Sequence, residues 1–343
     1  MAKITAAHLA TKAFVLLQTD TPVAEVKAIL AIDDSTMWSK VSALVYQKAQ
    51  AEARKERDKD ARRPHVSTTS NADITDLLAL NEQLASYALL APPTITVADF
   101  RRIGQLAAEL PASESAILAY LDSIITSPKT CAILKQGFEY CPAFQSFAPL
   151  VEAAIIAYYQ ENYISAFLTL VPVVEGLILR WNGFDGTGPE PKPEFETIRK
   201  FVGNSYLRQP NPGNVLFHDV YVKASQAILN KHLYLNSETG SAYANFSRHL
   251  AAHLLSNEAF ATQPNCVRLF ILLDALLKVH NYETKPAKDP RFHVDEPLLQ
   301  RDALRYQLLI AQQRMFRTAL EQYFPAVSND ASHGSINAKP AEA

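Results

Sequence analysis

Glycine is scarce in this chain, ten among 343 residues, and four of the ten (Gly176, Gly183, Gly186, Gly188) fall in one short stretch. Continuous Val, Ile and Thr runs bounded by turns are nearly absent, which argues against a β-sheet protein. Cysteine is limited to Cys131, Cys141 and Cys266, an odd number lying far apart with no CxxC pair. Such usage excludes a disulfide framework and reads as reduced, mostly buried thiols in a cytoplasmic protein. An excess of charge of one sign is lacking too: the formal net charge is −2, so no overall field announces nucleic acid or a membrane as partner. No Walker loop, GxGxxG or GxSxG element occurs, which leaves ATP hydrolysis, dinucleotide binding and serine hydrolysis without support. The start, Met-Ala-Lys-Ile-Thr-Ala-Ala-His, holds no long apolar core and no cleavage site, so no signal peptide is expected. The most apolar run, residues 164–179, carries Pro172 and Glu175 and is too short to span a bilayer; its expected place is a protein core.

What is present is helical. Ala, Leu, Glu, Lys and Gln are abundant, apolar residues recur at three- and four-residue spacing, and no fixed-period repeat appears. The reading is an all-α fold, with a length that suggests two domains. A helical N-terminal region of unknown role covers 1–130, with helices expected over 4–19, 22–30 and 39–63. A turn-rich linker follows over about 62–72, then a second helical group from 73 to 127. Asp73, Thr96 and Ser113 mark helix starts in that group. Residues 48–63 carry seven Lys/Arg against four Asp/Glu, a net of +3 with interspersed signs, the pattern of a solvated helix face. Residues 21–42 resemble a helix-turn-helix only faintly, without the turn glycine or a basic recognition helix; ordinary helical packing is the better reading. A second helical domain covers 140–324, with helices over 147–158, Tyr163–Trp181, 195–202, 215–229, 265–279 and 297–324 and a Gly/Pro-rich loop at 182–193. The tail, 326–343, is small and polar and is expected to be disordered.

Chemistry concentrates in Ser247-Arg248-His249-Leu250-Ala251-Ala252-His253. A guanidinium offers a permanently charged planar fork for phosphate oxygens, and an imidazole titrates near neutrality. Five residues of helix turn through about 500°, so Arg248 and His253 project about 140° apart and can line one broad groove. Together they suit cleavage of an RNA phosphodiester by its own 2′-hydroxyl, which needs no metal. Spacing alone decides nothing: with sixteen arginines and nine histidines, Arg-x4–6-His arises about once by chance. An interhelical salt-bridging Arg beside a buried, hydrogen-bonded His fits the same spacing. His249 and His253 are also spaced like zinc ligands, but the Glu of HExxH and a third ligand are missing.

Three pieces in order resemble the HEPN superfamily (higher eukaryotes and prokaryotes nucleotide-binding domain), over about residues 140–280. Residues 154–178 look like its first apolar hairpin, with Glu175-Gly176 near the end of the second helix. Arg248-His249-x3-His253 matches its Arg-polar-x3-His signature. Asn265-Cys-Val-Arg-Leu-Phe-Ile-Leu-Leu-Asp274 resembles the closing helix. Ser247 and Leu254 stand where members close to this pattern carry Asn and Gly, with Asn245 two residues earlier. The resemblance implies a metal-independent endoribonuclease, in phage defence or as a toxin, with Arg248 and His253 catalytic. His249, Glu175 and Asn245 would support the pair or contact RNA; a lone Glu before Gly equally suits a helix-end carboxylate reaching solvent. It further implies a homodimer, with a regulatory protein partner open to the N-terminal half; no cofactor, metal or membrane is implied. The alternative is a catalytically inactive module of this type that binds RNA or nucleotide or serves as a scaffold.

Overall fold

The computed structural model describes residues 5–60, 69–188, 191–208, 214–235, 243–253, 260–284 and 294–323, with only the backbone described at 251–253, 321 and 323. Among these residues there are fifteen α-helices and no strand, as the scarcity of β-forming runs requires. Helices α1 (Ala6–Gln18), α2 (Val23–Ile29) and α3 (Ser35–Asp60) come first, followed by α4 (Asn71–Ala85), α5 (Val97–Ala107), α6 (Glu114–Ile125) and α7 (Pro128–Tyr140). Helices α8 (Ala148–Tyr159) and α9 (Tyr163–Trp181) form the apolar hairpin. Two short helices, α10 (Phe195–Phe201) and α11 (Ser205–Arg208), precede α12 (Val215–Ile228), which runs into a π-helical turn at Leu229–Leu233. Last come α13 (Arg248–His253), α14 (Gln263–Thr284) and α15 (Glu296–Tyr323).

Local sequence explains most boundaries. Thr96 caps α5 as expected, its hydroxyl accepting the Asp99 amide while Asp99 accepts the Thr96 amide in return. At α4 the cap is Ser70 rather than Asp73. Asp73 is the acidic partner of the capping box, so the helix begins at Asn71 and takes in the last two residues of the expected linker. Ser113 precedes α6, yet its hydroxyl donates to the Leu106 carbonyl at 2.5 Å instead of capping the helix. Helix α7 was not expected. Its signal is Ser127-Pro128, a capping serine followed by proline at the first helical position. The rest of the expected linker, through residue 68, and the tail 326–343 lie outside the described residues.

Helix α14 is the axis of the packing. From Asn265 to Asn281 every residue on it is buried, so it has no polar face. Helices α9 and α12 pack on it, with α6 and α7 also in contact, and α12 packs against α3 and α4 as well. One contiguous apolar cluster therefore runs from Ala10 to Tyr306, across both helical regions. Leu269, Phe270, Leu272, Leu273 and Leu276 lie at its centre, each contributing roughly 1.5–3 kcal/mol by burial. The charged stretch at the end of α3 is mostly exposed, the solvated face its pattern implies. The expectation that the run 164–179 is too short to span a bilayer is corrected by the helix itself, whose 19 residues, Tyr163–Trp181, are long and apolar enough to cross a membrane, a test that the buried core helices of soluble proteins also pass. Here Phe167, Leu170, Val173, Val174 and Leu177 bury one side of it in the protein. Cys131, Cys141 and Cys266 are free, buried thiols.

A buried ionic network ties α14 to its neighbours. Glu283 accepts hydrogen bonds from Arg208 (Nε 3.1 Å, Nη2 2.9 Å) and Trp181 Nε1 (3.1 Å), and its carboxylate lies 3.0 Å from His218 Nε2. His218 Nδ1 lies 2.7 Å from the Tyr46 hydroxyl, an arrangement that a neutral imidazole protonated on Nε2 satisfies. Burial pushes the Glu283 carboxyl up, but the His218 hydrogen bond and the Arg208 charge outweigh it and hold it below the usual carboxylate range. A depressed folded pKa gives stability that is present above the unfolded value, about 4.3, and is lost as pH falls through the folded value. Glu283→Gln should therefore cost about 3 kcal/mol at neutral pH by stranding Arg208. In urea unfolding its deficit against wild type should shrink below about pH 4. A deficit independent of pH would show that the carboxylate charge is not what stabilises.

Candidate functional site

Helix α9 begins at an asparagine cap, Asn162 Oδ1 accepting the Ser165 amide at 3.1 Å, and carries Glu175 away from its buried side. The next residue, Gly176, lies where the Phe147 ring leaves no room for a side chain unless the ring moves. A Cβ on Gly176 would sit 2.8 Å from the Phe147 ring, which presses on the helix backbone there.

Helix α13 is placed by the turn before it. Ala244 and Asn245 both adopt left-handed backbone, φ 53° and 55°. Asn265, fully buried, donates to the Ala244 carbonyl (2.9 Å) and the Phe260 carbonyl (2.8 Å), holding the turn against α14. Phe246 plugs the core against Phe167, with centroids 6.3 Å apart. Ser247 then caps the helix: its hydroxyl accepts the His249 amide at 3.2 Å, the role of an N-cap side chain. Asn245 enters through its backbone, the carbonyl accepting the Ser247 amide at 2.8 Å.

Two predicted site residues meet across 73 positions of sequence. Arg248 Nε donates to Glu175 Oε2 at 2.6 Å, while Lys192 Nζ lies 2.7 Å from Glu175 Oε1. The Glu175 side chain is 14 % exposed and that of Arg248 31 %. Burial raises the Glu175 carboxyl, but the bonds from Lys192 and Arg248 prevail and hold it below the usual carboxylate range. It is thus an anion at neutral pH, fitted to orient Arg248 and unfitted to donate a proton. Arg248 lies between two clefts. One, about 490 Å³, is polar and includes Phe195, Glu196, Arg199, Tyr234 and His249; the other, about 380 Å³, is a more apolar groove along Leu168, Val171, Pro172 and Leu179. His249 therefore shares the first cleft with Arg248. The backbone of His253 ends α13, and its side chain and Leu254 lie outside the described residues. No group of three His, Cys, Asp or Glu among the described residues could hold a metal ion.

Lys192, Phe195, Arg199 and Tyr234 were not foreseen as site residues. They come from a loop, a short helix and the end of the π-turn, and nothing local in those segments marks them. Comparison with known proteins gives no match: no family model, no curated protein and no solved structure resembles the chain.

Removing one partner of the half-buried Arg248–Glu175 pair should cost modestly. In a double-mutant cycle of Arg248→Ala and Glu175→Ala, thermal unfolding should show a coupling of about 1 kcal/mol. Additive single effects would mean that the pair does not orient Arg248 in solution.

Proposed function

We propose that this chain is a metal-independent endoribonuclease of HEPN type, with Arg248 and His253 as the catalytic pair. The observation that carries the reading is Arg248, fixed by an ionised Glu175 at the ridge between two clefts, on a helix that continues directly to His253. A phosphodiester at that ridge would have its negative oxygens against a guanidinium, with room on both sides for the flanking nucleosides. His253 takes the proton of the substrate's 2′-hydroxyl, whose oxygen attacks phosphorus; as the P–O5′ bond breaks, the protonated His253 returns that proton to the departing 5′-oxygen. Arg248 stabilises the charge that grows on the non-bridging oxygens. The products are a 2′,3′-cyclic phosphate and a 5′-hydroxyl. The homodimer and the role in defence or as a toxin follow from the resemblance, the cytoplasmic setting from the scattered cysteines, and residues 1–130 receive a trigger or partner.

A second reading is a non-catalytic RNA- or nucleotide-binding or scaffold module. It is favoured by the Glu175 carboxylate, which already occupies Nε of Arg248. Ser247 and Leu254 at the motif's flanks point the same way.

The purified protein should cut total RNA with EDTA present and leave cyclic phosphate ends. Arg248→Ala and His253→Ala should each slow cutting by about 10²–10⁴-fold, the usual worth of an acid–base or charge-stabilising group. Intact RNA with the wild-type protein would sink the nuclease reading and leave the binding module. Variants that cut like wild type would place the activity elsewhere.

A further inference from the structure

The polar cleft beside Arg248 holds three features that folding alone does not explain. Phe195 is 42 % exposed at the start of α10, although an aromatic ring gains most by burial. Tyr234 meets it edge-on with centroids 5.5 Å apart, and the Arg248 guanidinium carbon lies 5.4 Å from its centroid. The ring is thus held in place while a large part of it faces solvent. Tyr234 is only 2 % exposed, and its hydroxyl is buried with no hydrogen-bond partner among the described residues. Burial pushes that phenol far above its ordinary pKa, with nearby Glu175 adding to the rise and Arg248 opposing it, so it stays a protonated O–H. Arg199 Nε is likewise buried without a partner. Each buried orphan donor costs free energy, and of those among the described residues these two belong to residues lining this cleft, where an acceptor from outside would satisfy them.

Charge gives the sign of that acceptor. Glu175 is shared between Lys192 and Arg248, and Glu196 between Arg199 and Lys200, so two carboxylates face four cations and the two triads carry a net +2. An anion is drawn to this rim. An aromatic ring with an exposed surface beside it suits a flat π-system.

We propose that this cleft seats one unpaired ribonucleotide of a single-stranded RNA, with its base stacked on Phe195, its phosphate against Arg248 and Arg199, and the Tyr234 hydroxyl hydrogen-bonded to a polar edge of the base or sugar. The assignment rests on the RNA reading of Arg248 and narrows it. A base inside a duplex has no free face for Phe195, so the cleft selects unpaired RNA. Phe195 and Tyr234 act as specificity residues and take no part in the proton transfers.

The test is binding, read by fluorescence anisotropy with a short labelled 2′-O-methyl oligonucleotide, whose blocked 2′-oxygen cannot attack. The single strand should bind and its duplex should bind more weakly. Phe195→Ala should weaken single-strand binding by about 5- to 100-fold, the worth of one stacked base, and Phe195→Trp should restore it. Tyr234→Phe should weaken it about 2- to 10-fold while the unfolding temperature holds or rises, because the change deletes an unpaired buried hydroxyl. A purely structural tyrosine would not lose affinity while keeping stability. Equal binding of duplex and single strand, no binding at all, or unchanged affinity in both Phe195→Ala and Tyr234→Phe would overturn the proposal. Binding with this pattern by a protein that cuts no RNA would uphold the subsite and reject the nuclease. RNA cleavage with affinity indifferent to Phe195 and Tyr234 would do the reverse.

Discussion

Helix α14 has no solvent side, and that constraint orders the rest of the structure. A helix buried from Asn265 to Asn281 must find an internal partner for every polar group it carries. Arg268 shows how: Nε donates to the Tyr87 carbonyl, Nη1 to Asn265 and Nη2 to Glu114, at 2.9–3.1 Å. Near the other end Glu283 gathers Arg208, Trp181 and His218. The turn after α4 and helices α6, α9, α11 and α12 are thereby fixed by directional contacts as well as by apolar ones. The same requirement reaches the candidate site, since Asn265, oriented by Arg268, grips the turn that launches α13.

Local patterns carried much of this fold. Tyr163–Trp181 is bounded in the sequence by a capping asparagine and by the Gly-containing turn after Trp181, and the helix has those ends. Helix α14 reads as apolar only to about Val279, because Lys278, His280, Asn281 and Glu283 look like a surface end; all four are buried, and His280 and Glu283 meet partners from distant elements, Phe144 and Trp181 for the one, Arg208, Trp181 and His218 for the other. The Asp73 boundary failed for a smaller reason: two candidate caps lie three residues apart, and in a capping box both belong to the same helix end. Arg208, His218 and Glu283 were illegible. The pairs lie 75 and 65 residues apart, and spacing arguments see only neighbours on one helix face.

The site divides in the same way. Arg248 and His249 announce themselves by residue type, and Glu175 stands out as a carboxylate in an apolar helix. The contact between Arg248 and Glu175 could be suspected only through the order of three segments, and the 2.6 Å bridge gives that suspicion a geometry. Ser247 also has a plain job here: a serine caps α13 through its side chain as an asparagine would, so a serine in place of the asparagine of the HEPN pattern preserves the helix start.

A carboxylate against Arg248 works, by its own charge, against the proposed anion site. The arithmetic of the two triads decides otherwise, because Lys192 takes the far oxygen of Glu175 and leaves it less charge to oppose a phosphate. What Glu175 supplies is direction. A lone exposed arginine loses rotamer freedom when it grips a ligand, whereas one already held at Nε has given up much of that freedom on folding. The site is costly to the folded chain, with an exposed phenylalanine and two unmet buried donors around one arginine. A salt bridge serving only to fasten α13 to α9 would need no cleft on either side and no unsatisfied wall, and for that reason the structural reading of Arg248 explains less of its surroundings than the binding one.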